Sequence, residues 1–358
     1  MINIETNQEI SNKMNSLVLE GIGDLRLEKR NIPTINKGEV LLKIHNCGIC
    51  SSDIERVFVT GTYHFPTVPG HEFCGEIVGT NKEDKELLGK KACVFPLIPC
   101  KECSACLNEE YAQCSNYNYF GSRCDGAYSE YLSVPIWNLV FFNNLDYRVA
   151  ALCEPTSVAI HALNRVKPEK DNKILIIGCG TIGLLLALYA KSKDLDVYVG
   201  INKKEKRKYI ESLGLKTIDT NNLEKEIKKY TNNGFDIIFE ATGTNKAIEQ
   251  AITSGSNFSK IVVIGNPKDN LKIEKNIYWK ILRKQMTMIG TWNSSYGNII
   301  NDWKQAIKFM TDNQELLKKL ITHTYKLEEY EEAFNLLKDK SKFKIKVMFE
   351  IGEDNGKR

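Results

Sequence analysis

Lys173-Ile-Leu-Ile-Ile-Gly178-Cys-Gly180-Thr-Ile-Gly183 is the stretch whose reading decides the fold. Four consecutive apolar residues run into three glycines spaced G-x-G-x-x-G, and 184–191 continue as apolar, helix-forming sequence. A buried strand, a tight turn and a helix, in that order, give this otherwise weak spacing a mechanism. The first glycine turns the chain. The second lets backbone approach a pyrophosphate, and the third lets helix and strand pack closely. The helix N-terminus adds positive potential for phosphates. Gly178, Gly180, Thr181, Ile182 and Gly183 are therefore candidate dinucleotide contacts.

Towards the C-terminus the alternation continues. The patterning predicts strands at 174–177, 197–201, 236–240, 261–264 and 287–289, with helical sequence between the first two. Strand–helix alternation means parallel βαβ units and a doubly wound sheet. After about 298 the pattern returns to helices at 303–311 and 328–338 and a last strand at 345–349. A ribose-binding acid is expected about 20 residues beyond the glycines. The sequence there reads Ile-Asn202-Lys203-Lys204, with Arg207 close behind. Exchanging a carboxylate for Asn202 and adding Lys203 and Arg207 favours a 2′-phosphate, so NADP as well as NAD is a candidate cofactor. The same cations also suit the exposed start of a helix.

Towards the N-terminus the sequence is β-rich, with short apolar runs at 16–20, 40–45 and 74–78 broken by Gly and Pro. The rhythm changes near Ala150. The 358 residues have room for roughly two domains. The net charge of only +4, spread along the chain, argues against a nucleic-acid binder. No apolar run approaches the roughly 18–20 residues that span a bilayer. Residues 1–15 are polar and lack the apolar core of a secretion signal, so a cytoplasmic location is expected.

Of the eleven cysteines, nine fall between Cys47 and Cys124. In a reducing compartment, clustered cysteines point to metal more than to disulfides. Cys100-x-x-Cys103-x-x-Cys106, followed after seven residues by Cys114, can close a tetrahedral shell with no open position, as a structural zinc site requires. Disulfides or buried free thiols are the alternatives. A dispersed set, Cys50-Ser51-Ser52-Asp53, Gly70-His71-Glu72 and Cys153-Glu154-Pro155, offers Cys, His and carboxylate, which suit a catalytic zinc. Spacing alone does not choose between that and a Cys47-x-x-Cys50 redox pair.

Cys47-Gly-Ile-Cys-Ser-Ser-Asp53, Pro69-Gly-His-Glu-Phe73, the four-cysteine lobe and the glycine turn together resemble the zinc-dependent medium-chain dehydrogenases, polyol branch, with sorbitol and threonine dehydrogenases as cousins. Phe120-Gly-Ser-Arg-Cys-Asp-Gly126, Lys280-Ile-Leu-Arg-Lys284 and Ile289-Gly-Thr-Trp292 are similar to segments of the bacterial galactitol-1-phosphate 5-dehydrogenases. The resemblance implies an α/β protein with a GroES-like β-rich catalytic domain at 1–160, completed by 298–358, and a Rossmann dinucleotide-binding domain at 161–297. It implies Cys50, His71 and Glu154 as catalytic zinc ligands and Cys100, Cys103, Cys106 and Cys114 as structural ones, two zincs per chain. Ser52 matches the hydroxyl that relays the alcohol proton, and Glu72 a carboxylate close to the metal that acts behind the ligands or exchanges with water. Asp53 is expected to orient a ligand. Three positions depart from the pattern: Ser51 stands for a usual Gly, Cys153 lies beside Glu154, and Asn202 replaces the usual Asp.

The expected activity is hydride transfer between a secondary alcohol of a polyol or polyol phosphate, galactitol 1-phosphate foremost, and NAD(P). Another secondary alcohol is the near alternative and a zinc- and nucleotide-binding redox sensor the remote one. A phosphorylated substrate needs a cation, and Arg123 and Arg56 are the candidates. The family's habit implies a homo-oligomer, dimer or tetramer.

Overall fold

The protein, a computed structural model in which residues 5, 6 and 12–352 are described, divides into two compact units. One comprises Met1–Glu154 with Ser295–Arg358 and the other Pro155–Ser294.

The second unit is built on six parallel strands in the order Lys216–Asp219, Asp196–Ile201, Lys173–Ile177, Phe235–Glu240, Gly255–Val263, Thr287–Gly290. Their apolar runs are continuous rather than alternating because a parallel sheet is covered on both faces. Ile174, Leu175, Ile176, Ile238, Phe239, Ile261 and Val262 are all fully buried. The chain winds outward in one direction from Lys173–Ile177 and then in the other from Phe235–Glu240. The strand order therefore reverses between those two neighbours, and ligands of open α/β sheets bind beyond the carboxyl ends of the strands at such a reversal. The glycine turn lies at the end of the first of them.

Two of its glycines are dictated by space. Gly178 has φ +120°, a left-handed conformation that side chains avoid. A Cβ on Gly183 would overlap the carbonyl oxygen of Gly178. Helix Thr181–Lys191 can therefore lie close on the sheet and bury everything from Gly183 to Ala190. Gly180 differs, since among the described residues nothing beyond its own chain neighbours lies within 4 Å of its missing Cβ.

The first unit carries an eight-stranded sheet whose main path runs Leu139–Phe142, Lys91–Val94, Glu72–Thr80, Glu39–Gly48, Lys346–Glu350, Ile321–Tyr325. The C-terminal strand Lys346–Glu350 pairs antiparallel with Glu39–Gly48, placing Phe349 opposite Cys47 and Met348 opposite Gly48. The end of the chain thus completes the sheet begun near its start. Leu17, Leu42, Ile44, Phe73, Ile77, Phe334 and Phe349 form one continuous core, each such side chain contributing about 1.5–3 kcal/mol by leaving water.

Gly183→Ala should lower stability by about 1–3 kcal/mol, because the methyl meets backbone that has no room to retreat. Gly180→Ala should be near neutral. Denaturant unfolding of both variants checks this, and equal losses would contradict it.

Candidate active site

The four-cysteine lobe is held by tight turns, with Lys101 at φ 65° and Glu109 at φ 59° on either side of the short helix Ser104–Leu107. The Cys114 and Cys100 sulfurs are 3.5 Å apart, Cys100 and Cys106 3.9 Å, and Cys103 and Cys114 3.9 Å. A disulfide would bring two sulfurs to about 2.05 Å. A tetrahedral zinc with bonds of about 2.3 Å separates its sulfurs by about 3.8 Å. All four thiols are free, and their ligand atoms lie within 4.8 Å of one another. The donor set and its spacing fit one zinc ion. The Cys103 thiol is drawn down to about 5, first by the Cys106 backbone N–H and then by that of Ser115, and the thiolate is the form that binds metal.

The second cluster assembles from three places in the chain. Cys50 caps the short helix Ser51–Glu55. Gly70, at φ +100° against the Tyr128 ring, turns the chain so that His71 and Glu72 enter strand Glu72–Thr80. Ligand atoms of Cys50, His71 and Glu72 lie within 4.8 Å of one another. Asp53, fully buried, holds this arrangement. One of its oxygens accepts from the Cys50 backbone N–H and the Tyr128 hydroxyl, both at 2.9 Å. The other lies 3.2 Å from His71 Nδ1 and 3.2 Å from an Arg56 guanidinium nitrogen. Burial pushes the Asp53 carboxyl up, but the charges of His71 and Arg56 and the Cys50 N–H outweigh it and hold the group well below the usual range. Nδ1 of His71 faces the Asp53 carboxylate at 3.2 Å without an aligned hydrogen bond, and Nε2 is the nitrogen turned to a ligand in the usual division of labour of a metal-bound histidine.

Glu154 is buried beside the cluster but is not one of the three groups within mutual ligand reach. Burial, helped by the Glu72 and Asp53 carboxylates, pushes it up to about 7, with His71 and Lys346 opposing. Sequence reasoning missed Lys346. Its ammonium, buried on the last strand, donates to Glu72 Oε2 at 2.5 Å and to the Ile49 carbonyl at 3.2 Å. The signal was a lone lysine inside the apolar run Ile345-Lys-Val-Met-Phe349. Tyr128, the hydroxyl donor to Asp53, was missed too, and nothing in its local sequence marks it.

Charge tests whether a metal fits. Three buried carboxylates (Asp53, Glu72, Glu154) and the Cys50 thiol face two permanent cations, Arg56 and Lys346. With Cys50 as thiolate, His71 neutral as a metal ligand must be and all three carboxylates ionised, the surplus is two negative charges, which a divalent cation neutralises. Burying that surplus uncompensated would be costly.

Ser52 Oγ accepts from Arg56 at 3.1 Å. Arg56 is therefore occupied by Ser52 and Asp53. The Arg123 guanidinium is sandwiched between the rings of Tyr63 at 4.0 Å and Tyr117 at 4.4 Å. Its backbone N–H bonds the Tyr119 carbonyl, and the Tyr119 ring packs 5.8 Å from that of His71. Cys47 is fully buried, its thiol pushed well up by burial and hydrogen-bonded to the Gly48 carbonyl, which is unlike an exposed redox switch. In the other unit, Thr181 and Ile182 open the helix above the glycine turn. The Asn202 carbonyl accepts from Asn221, Lys203 caps helix Lys204–Ser212, and Arg207 is held by Thr217 at 2.8 Å and Glu211 at 3.5 Å.

Comparison with known proteins agrees with this architecture. The alcohol dehydrogenase GroES-like domain family matches residues 36–143, and the glucose dehydrogenase C-terminus family matches 147–351. The chain belongs to the zinc-binding medium-chain alcohol dehydrogenase family, and it is a polyol or secondary-alcohol dehydrogenase. It is 32% identical over 337 residues to galactitol 1-phosphate 5-dehydrogenase of Escherichia coli K12, covering 89% of this chain and 95% of that one. It is 28% identical over 339 residues to sorbitol dehydrogenase of Bacillus subtilis 168, covering 90% and 93%. The crystal structure of Escherichia coli galactitol-1-phosphate dehydrogenase superimposes with a TM-score of 0.86 at 28% identity, over 94% of this chain and all of that one. Among the described residues no helix is long and apolar enough to cross a membrane.

Asp53→Asn removes the charge that orients His71. Zinc affinity at the Cys50 and His71 site should fall about 10–100-fold, while zinc in the four-cysteine lobe is retained. Chelator competition followed by metal analysis reads both, and unchanged affinity would contradict the role given to Asp53.

Proposed function

We propose that the enzyme oxidises a secondary alcohol of a phosphorylated polyol, galactitol 1-phosphate foremost, with NAD or NADP as acceptor, and carries two zinc ions per chain. The observation that carries the substrate class is Arg123. Its guanidinium is oriented by two tyrosine rings and, among the described residues, pairs with no carboxylate. A fixed planar cation without an anion suits a phosphate, which it can meet with two parallel hydrogen bonds. The likeness to the Escherichia coli galactitol 1-phosphate 5-dehydrogenase supports the same choice. Arg56, spent on Asp53 and Ser52, takes no part in it. A free polyol is the second reading, supported by the likeness to sorbitol dehydrogenase of Bacillus subtilis.

Cys50 and His71, with a carboxylate from Glu154 or Glu72, would hold the catalytic zinc, and Cys100, Cys103, Cys106 and Cys114 the structural one. A zinc held there would supply Lewis acidity towards the alcohol oxygen, and a nicotinamide would supply the hydride acceptor. The protein's own groups do the rest. Asp53 fixes the His71 ring. Ser52, already accepting from Arg56, keeps its O–H to relay the alcohol proton towards solvent. Gly178, Gly180 and Gly183 receive the pyrophosphate. Asn202, unlike an acid, does not repel a 2′-phosphate, so both cofactors are accommodated. The eleven free thiols support a reducing, cytoplasmic setting. The sheet edge at Thr287–Gly290, with Met288, Trp279 and Leu282 exposed, supports a homo-oligomer.

Initial rates with galactitol 1-phosphate, galactitol and sorbitol, each with NAD⁺ and NADP⁺, test this reading. The phosphorylated substrate should be preferred. Arg123→Ala should raise its KM about tenfold or more, the loss of a charged hydrogen bond worth about 1.5–3 kcal/mol, and leave the KM for free polyols unchanged. Equal effects on all three substrates would remove the phosphate role.

A further inference from the structure

Among the described residues Lys346 is the only buried lysine, 3% exposed, and it lies against the candidate metal site. Its ammonium has two acceptors, Glu72 Oε2 at 2.5 Å and the Ile49 carbonyl at 3.2 Å. The same oxygen of Glu72 is pressed against Gly48, where a Cβ would overlap it. Oε2 is therefore committed on both sides, to a cation and to a packed backbone. Only Oε1 is left for any other partner.

The consequence concerns coordination number. Catalytic zinc sites keep one position free of protein, whereas structural sites are closed. This cluster is oversupplied, because Cys50, His71, Glu72 and Glu154 all stand at or beside it. A Glu72 that chelated through both oxygens would help to close the shell. We propose that Lys346 is a positioning residue that claims one oxygen of Glu72, so that this carboxylate can offer a metal at most one, and the position needed by the alcohol oxygen stays open. A compact ammonium suits the task better than a guanidinium, whose fork would tend to engage both oxygens. Because Lys346 arrives on the C-terminal strand, the site is completed only when the two ends of the first unit pair. The inference rests on the proposed catalytic zinc at Cys50 and His71.

The test is zinc release into excess chelator, together with imidazole binding to the cobalt-substituted protein. In Lys346→Met the freed oxygen of Glu72 should slow zinc release at this site at least tenfold and weaken imidazole binding at least tenfold. The double variant E72Q/K346M, with an amide in place of the second chelating oxygen, should return both to wild-type values. Lys346→Gln keeps a neutral N–H donor and so holds Oε2 more weakly than the ammonium does. Release should be slower than wild type by less than in Lys346→Met, which reads the role should the methionine variant fail to fold. Release as fast as wild type, or faster, in whichever of these variants folds would overturn the role of Lys346. A Cys50→Ala variant that retains as much zinc as wild type would overturn the catalytic-zinc reading itself, and the inference with it.

Discussion

The carboxylate of Asp53 is the contact on which the active site depends. It is fully buried, yet stays charged, because it gathers the Cys50 amide, the Tyr128 hydroxyl, His71 Nδ1 and the Arg56 guanidinium around two oxygens. Cys50 and Arg56 lie at the two ends of the short helix that carries Asp53, whereas His71 and Tyr128 come from elsewhere in the first unit. One group thereby fixes the cap that presents Cys50, the rotation of the His71 ring and the arginine that holds Ser52. Local charge at low dielectric is expensive unless paired and hydrogen-bonded, so these elements are obliged to meet. The charge left over, with Asp53, Glu72, Glu154 and the Cys50 thiolate against only Arg56 and Lys346, makes a divalent metal a fitting occupant.

The two metal clusters illustrate different solutions. The four-cysteine lobe is local, its ligands delivered within fifteen residues by tight turns around one short helix. Its donors are all of one kind and number four, so it closes. The other cluster is drawn from residues far apart in sequence, has more acidic groups than a shell needs, and includes a lysine that competes for one of them. The first arrangement holds a loop together. The second, with donors to spare, would let a bound metal exchange a ligand, as binding and releasing an alcohol requires.

The parts of the fold legible in the sequence are those where one stretch carries its own explanation. Lys173 to Gly183 specify strand, turn and helix by themselves, since an overlapping Cβ at Gly183 and a left-handed φ at Gly178 admit only glycine. The apolar strands 197–201, 236–240 and 287–289 were legible for a similar reason, being continuous β-branched or apolar runs. Strand Lys216–Asp219 was not, because it is an edge strand of four residues with only Thr217 and Ile218 buried. Ile321–Tyr325 was missed likewise, its residues being half-buried or exposed. Strand Gly255–Val263 begins well before the expected 261, where Gly255 already pairs with Phe235 across an irregular register. In the site, motif residues such as Cys50 and His71 could be read, whereas Tyr128 and Lys346 act through tertiary contacts. The partition of roles between Glu72 and Glu154 also lay beyond the sequence, because both are plausible ligands by type. Only their placement, one within reach of Cys50 and His71 and the other alongside, distinguishes them.

The most direct measurement is anomalous X-ray scattering across the zinc absorption edge from crystals of the protein grown with zinc. The expected result is two zinc peaks per chain, one enclosed by the sulfurs of Cys100, Cys103, Cys106 and Cys114, the other bounded by Cys50 Sγ and His71 Nε2 with a non-protein oxygen in its shell. A peak in the four-cysteine lobe alone, with Cys50 and His71 ordered and bare, would contradict it.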